Sequence, residues 1–228
     1  MGVFGDAFKF IGENPDLILE KTFDHLVLSG AAIAVGIVVA VPLGVWLGHI
    51  HRGSFLAINV SNIGRALPSL ALISIGLGVL GIGFWNVLVA MVILAVPPML
   101  TNAYVAVDGV DRDAVEAARG MGMTPAQVVR SVEIPLSLPL MFAGIRTAAV
   151  YVVSTAALAS IAGGSSLGDI IINQPTYRLE GVIAGAIVVA ALAFAVEGVF
   201  ALVQRAVTPR GLKKSRRGHL IGPVHEGV

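Results

Sequence analysis

Five stretches of this chain, 25–48, 67–83, 84–107, 136–162 and 181–203, are almost unbroken runs of apolar residues. Each approaches or exceeds the roughly 20 residues that a helix needs to cross a bilayer. None holds more than one or two ionisable groups. Only 13% of the 228 residues are charged, where a soluble domain carries about 25%. The runs lack the period-2 alternation of a membrane barrel, and backbone inside lipid must satisfy its own hydrogen bonds, which leaves helices. The sequence therefore predicts an all-α, polytopic membrane protein with about five spans.

Several chemistries are excluded at once. There is no cysteine, so neither disulfides nor thiolate metal sites are available. The histidines His25, His49, His51, His219 and His225 fall at predicted span ends or in the tail. His49 and His51 read as interfacial residues rather than metal ligands, and no cofactor or metal is expected. The opening residues 1–24 are acidic and polar where a secretory signal would be positive and then apolar. Most of the cations lie in the loop after the first run, in a polar insert over 108–135, or in the tail. Those regions share one side, which the positive-inside rule makes cytoplasmic, so the N-terminus is expected outside and the C-terminus inside. The tail, 212–228, holds the cluster LKKSRR. Beside a span this reads as a topological anchor at the lipid surface rather than a nucleic-acid site.

Within the runs, Ala32, Gly36, Ala40, Gly44 and Gly48 form a stripe of small residues four apart, which lets another helix approach closely. Pro68 predicts a break before the second span, with Arg65 at the cytoplasmic boundary. Pro97 and Pro98 interrupt the third span, followed by Asn102 and Tyr104. Unwound backbone there could line a pathway, with Tyr151 facing it from the fourth span, or the prolines could simply kink a packed helix. Arg146 and Glu197 are the charges within spans, each about 10 Å from the cytoplasmic end at 1.5 Å per residue. Their similar depth permits a salt bridge, and snorkelling of Arg146 is the alternative. The segment GGSSLGD at 163–169 looks like a phosphate loop only superficially, since it has no lysine.

The polar insert contains EAARGMGMTPAQVVRSVEIP, residues 116–135. Asp113 followed by Glu116 suggests a helix start, with Ala114, Ala117, Ala118 and Met121 along one face. Gly122 suits the left-handed turn that ends a helix. Thr124 and Gln127 then make a capping box with Pro125 at the first helical position. Pro125, Val128, Val129 and Val132 form a second stripe, which Pro135 is expected to end. Both helices are shorter than the ~12–15 residues that a lone helix needs, so they must dock. Glu116, Arg119, Gln127 and Arg130 would then face outward, toward a cytoplasmic partner.

Glu116-Ala117-Ala118, Gly122 and the closing Val132-Glu133-Ile134-Pro135 resemble the EAA loop of bacterial ABC importer permeases. That loop reads E-A-A, three residues, G, nine residues, I-x-L-P. Here Val and Ile stand in for Ile and Leu. NPDLILEKTFDHL, RALPSLAL, PPMLTNAYVAVDGVD, AGIRTAAVY and VTPRGL are further similar to the permeases of osmoprotectant importers for glycine betaine, carnitine or choline, over nearly all of residues 1–211. One departure is Gly163-Gly164-Ser165-Ser166-Leu167-Gly168, where the family has G-A-G-G-L-G. The resemblance implies a type I importer permease fold in one domain. Glu116, Ala117, Ala118, Arg119, Gly122 and Pro135 would lie in the helix-bearing loop that docks on the ATPase.

It also implies partners: ATPase subunits holding ATP and magnesium, a second permease copy or paralogue, and a periplasmic or lipid-anchored solute-binding protein. The chain itself holds no G-x-x-x-x-G-K-[ST] motif, so it is not expected to be an enzyme. A permease of a methionine or other amino-acid importer shares the loop and is the alternative. A stand-alone secondary transporter fits less well, because no internal repeat is evident.

Overall fold

The computed structural model describes residues 2–208 except 56–58, 60, 61, 63 and 65. Arg65 and the basic tail 212–228 therefore lie outside the described residues. Every element described is helical: α1 (Val3–Glu13), α2 (Pro15–His49), α3 (Ser69–Leu80), α4 (Phe84–Asp108), α5 (Arg112–Gly120), α6 (Pro125–Val128), α7 (Ile134–Thr155), α8 (Gly168–Ile172) and α9 (Gln174–Val207). Among the described residues, four helices are long and apolar enough to cross a membrane: Pro15–His49, Phe84–Asp108, Pro125–Ala162 and Gln174–Val207. Residues 15–26 form the first turns of α2, which at 35 residues is about 52 Å long. The second apolar run behaves differently. Pro68 caps α3 in extended backbone, and Gly81 (φ 75°) closes it after 12 residues, so α3 is about 18 Å long against a hydrocarbon core of about 30 Å.

The third span holds together through its prolines. Pro97 and Pro98 sit inside a continuous α4, and Asn102 Nδ2 donates to the Pro98 carbonyl at 2.8 Å. Of the two readings of these prolines, the packed helix is the one that forms. The reason lies in the neighbours, which clamp α4 from two sides. On one side the small-residue stripe of α2 presses directly on its backbone. A methyl group added at Gly44 would stand 2.6 Å from Ala103 Cβ and 2.8 Å from the Leu100 carbonyl, and one at Gly48 would stand 2.8 Å from Val107 Cβ and 2.9 Å from the Tyr104 carbonyl. Gly36 meets Ala95 and Met99 in the same way. The contacting positions 95, 99, 103 and 107 are themselves four apart, so two stripes mesh. On the other side Gly144 of α7 approaches the Pro98 carbonyl and Asn102. The core is built on this three-helix layer: Leu28 and Ala32 from α2, Met91 and Ala95 from α4, Ala148 and Val152 from α7. His25 is not interfacial but fully buried within it, with Nε2 2.8 Å from the Val153 carbonyl.

At the end that carries the insert, α6 does not stop at Pro135. Residues Val129–Glu133 widen into one π turn, in which the Ile134 amide donates five residues back to Val129, and α7 follows directly with Pro135 in its first turn. Proline lacks an amide donor and crowds the carbonyl four residues earlier, and a π turn absorbs both effects without ending the helix. The same turn buries Glu133, 2% exposed. Its carboxylate accepts from His49 Nδ1 at 2.8 and 3.0 Å. Nearby, His51 Nδ1 lies 2.8 Å from Asp108 Oδ1, and Ser137 Oγ donates to the Ala106 carbonyl at 2.8 Å. The ends of α2, α4 and α7 are thus tied together beneath the insert.

Two outcomes test this packing. Gly44→Ala should lower stability in detergent by about 1–3 kcal/mol, because the new methyl meets backbone that cannot move aside. Gly30→Ala, on the same helix with nothing within 4 Å of its added methyl, should leave the melting temperature unchanged. His49→Leu should cost about 3–5 kcal/mol by leaving Glu133 buried without its partner, while His49→Leu combined with Glu133→Leu should cost less than that single change. Thermal unfolding of the purified variants measures all four.

Candidate functional site

The insert is a compact unit with its own small core. Its first helix, α5, is capped by Asp111, whose side chain accepts from the Asp113 amide at 3.0 Å, two residues before the start that the sequence suggests. Val115 and Ala118 turn inward, where they pack with Val110 and Val128 and against Met123 and Val132. The two stripes therefore cover each other. Met121, expected on the covered face, is 73% exposed, and Ala117 is exposed with it.

Gly122 has φ 84°, the left-handed conformation that the sequence reading requires, and it joins the two helices. Nothing lies within 4 Å of an added methyl there, so the position demands glycine for backbone freedom rather than for room inside the chain. The capping box is present on both arms: the Gln127 amide donates to Thr124 Oγ1 at 3.4 Å, and the Thr124 amide donates to Gln127 Oε1 at 2.8 Å. The result is a rigid knuckle that presents Glu116, Ala117, Arg119, Met121, Gln127 and Arg130 outward. Pro135 is not on that surface; it lies behind, at the start of α7.

A second polar feature sits inside the membrane-spanning part. Arg146 Nε donates to Glu197 Oε1 at 2.7 Å, and Nη2 converges on the same oxygen. Arg146 Nη1 donates to Gln204 Oε1 at 3.3 Å, and Gln204 Nε2 donates to the Pro139 carbonyl at 2.8 Å. The structure thus brings the two intraspan charges together and adds Gln204, which was not singled out in the sequence. The pair opens on a groove of about 590 Å³, which also includes Thr147, Tyr151 and Ser154 of α7. An adjoining hollow of about 390 Å³ shares Thr147 and Tyr151 and reaches Asn102, Pro97 and Pro98. Tyr104, paired with these residues in the sequence reading, lies elsewhere: it is 6% exposed in the main core, and its backbone meets the stripe of α2.

The third feature is the outer loop. Ser165 Oγ donates to Asp24 Oδ2 at 2.5 Å and accepts from Lys21 Nζ at 2.9 Å, while Lys21 pairs with Asp169 at 2.8 Å. Ser166 Oγ accepts from the Gly168 amide at 3.0 Å. Of the two serines that replace glycines in the resemblance, Ser165 therefore ties this loop to the N-terminal part of α2, while Ser166 bonds within the loop. His49, Glu133, Lys21 and Ser165 all escaped the sequence reading as site residues. The available signal was weak: an acid flanked by Val132 and Ile134, and a histidine ending a span.

Residues 24–209 match the family described as binding-protein-dependent transport system inner membrane component. The choline transport system permease protein OpuBB of Bacillus subtilis (strain 168) is 40% identical over 207 residues, 90% of this chain and 95% of that protein. The glycine betaine/carnitine/choline transport system permease protein OpuCB of the same strain is 42% identical over 205 residues, 90% of this chain and 94% of that protein. The carnitine transport permease protein OpuCB of Listeria monocytogenes is 39% identical over 210 residues, 92% and 96% of the two chains. Among solved structures, the MetNI methionine ABC transporter in an inward-facing conformation superposes with a TM-score of 0.72 at 22% identity, over 86% of this chain and 99% of that one. The helical order, the knuckle after α4 and these alignments agree: the chain belongs to the binding-protein-dependent transport system inner membrane component family and has the fold of an ABC importer permease.

Proposed function

We propose that this chain forms the translocation path for a quaternary-ammonium osmolyte (glycine betaine, carnitine or choline) and couples it to ATP hydrolysis in a separate subunit. The observation that carries this reading is the knuckle at 111–128, which turns Val115, Ala118 and Val128 to its own core and leaves Met121, Pro125 and the small Ala117 and Ala126 exposed. A surface of that kind is shaped to enter a groove on another protein. Glu116, Ala117 and Arg119 face outward on it, Ala118 anchors it from its core, Gly122 turns it, and Pro135 joins it to the spans. The names of the relatives at 39–42% identity supply the solute class. The methionine transporter supports the fold only, at 22% identity, so methionine import is the second reading.

The remaining parts of the machine lie outside this chain. ATP and magnesium belong on the ATPase, solute capture on a binding protein, and half of the path on a second permease. OpuBB and OpuBD are two choline permease proteins of one organism, and this chain is 40% and 30% identical to them, which supports a paralogue as that second subunit. The knuckle and the C-terminus are placed in the cytoplasm by the positive-inside rule.

Gly122→Leu should leave the complex assembled but remove solute-stimulated ATP hydrolysis, since leucine resists the left-handed backbone on which the knuckle turns. Retention of full stimulation by reconstituted complexes would refute the coupling role. For topology, cysteines at Ser131 and Gln174, both exposed, should react with an impermeant reagent from opposite sides of the membrane. Uptake of labelled betaine, carnitine, choline and methionine by the same complexes separates the two solute readings, and uptake of methionine alone would select the second.

A further inference from the structure

The groove beside Arg146 has features that membrane insertion alone does not explain. On α7, the exposed residues Thr147, Tyr151 and Ser154 follow one another at spacings of four and three, which places them on one face. The opposite face, Ala148, Ala149 and Val152, is fully buried. A spanning helix that turns polar residues outward is not built to face lipid there. The Arg146 and Glu197 side chains are each 35% exposed, and ionisable groups at such depth face protein or a water-filled cavity. Arg146 reaches Glu197 and, through Nη1, Gln204, so its guanidinium is held at the groove wall beside the acid.

We propose that this groove is a binding subsite for a small zwitterion, with the solute carboxylate toward Arg146 and the quaternary ammonium toward Glu197 and the Tyr151 ring. The chemistry fits on three counts. The groove carries one cation and one anion, so it attracts a dipolar solute while favouring neither a net cation nor a net anion. Tyr151 offers the aromatic face that attracts quaternary ammonium groups. The volume of about 590 Å³ lies within the range of about 300–1,000 Å³ usual for small-molecule sites. The subsite rests on the importer reading above and adds that the permease, besides its binding protein, discriminates among solutes.

The test uses the whole complex in proteoliposomes, with the binding protein saturated by labelled glycine betaine, a zwitterion, or by choline, a cation. The measured quantity is the choline-to-betaine ratio of uptake rates. Glu197→Gln leaves Arg146 uncompensated and should lower that ratio by about tenfold; Arg146→Gln leaves Glu197 uncompensated and should raise it by a similar factor. Opposite shifts support the subsite. Unchanged ratios, or shifts in the same direction, overturn it while leaving the importer reading intact. Where a single variant does not assemble, the double variant Arg146→Gln with Glu197→Gln keeps hydrogen-bonding groups and removes both charges. It should raise the KM for betaine about fivefold and that for choline less than twofold, and equal changes overturn the proposal. A wild-type complex that takes up neither solute overturns the importer reading, and the subsite with it.

Discussion

In lipid no hydrophobic force draws two apolar helices together, so α2 is held to α4 by backbone-close van der Waals contact. Gly36, Gly44 and Gly48 provide it, with added methyl groups at these positions meeting neighbours at 3.2, 2.6 and 2.8 Å. This contact determines how α4 can behave. A helix holding two adjacent prolines loses two internal hydrogen bonds and would be expected to bend or open. Clamped between the stripe of α2 and Gly144 of α7, it stays continuous, and its polar residues Asn102 and Thr101 remain on a helix rather than on a loop. The groove that α4 and α7 share at Asn102, Thr147 and Tyr151 exists because those two helices are held in register.

The same layer sets the position of the 108–135 insert. With α2 and α4 locked along their length, their ends beneath the insert form a fixed platform, and His49, Asp108 and Ala106 present hydrogen-bonding groups from it. Glu133, Ser137 and His51 complete the ties. A carboxylate buried to 2% costs several kcal/mol in the absence of a partner, so the His49–Glu133 contact penalises any arrangement in which the loop detaches from α2. The loop is then free to move only together with the helices beneath it.

Much of this was legible in the sequence. The small-residue stripe, the positive-φ turn at Gly122, the capping box at Thr124 and the depth match of Arg146 with Glu197 each follow from local rules of spacing and conformation. What was not legible depended on rotation and on neighbours. Met121 is exposed at the C-cap of α5, and Val115 rather than Ala114 packs with Ala118 against Val110 and Val128. Pro135 reads as a stop to local rules, whereas the π turn that carries it into α7 is stabilised by a buried acid from one direction and α2 from another. Tyr104 and Tyr151 look alike in sequence; only the packing of α4 against α2 separates a core residue from one that lines a groove.

The continuity of that turn has a mechanical consequence. From the knuckle to Thr155 the chain is one helical run, α6, the π turn and α7, with no loop in which motion could be dissipated. Arg146 lies 12 residues beyond Ile134, or about 18 Å along the axis, and Tyr151 about 8 Å further. A displacement passed from α5 through the Gly122 turn would reach the polar face of α7 along this run, in which the π turn and Pro139 are local departures from regular helix. The His49–Glu133 contact sits at the π turn and links it to α2. The exposed face of α5 is one turn removed from this run, joined to it through Gly122, while the polar face of α7 lies on the run itself.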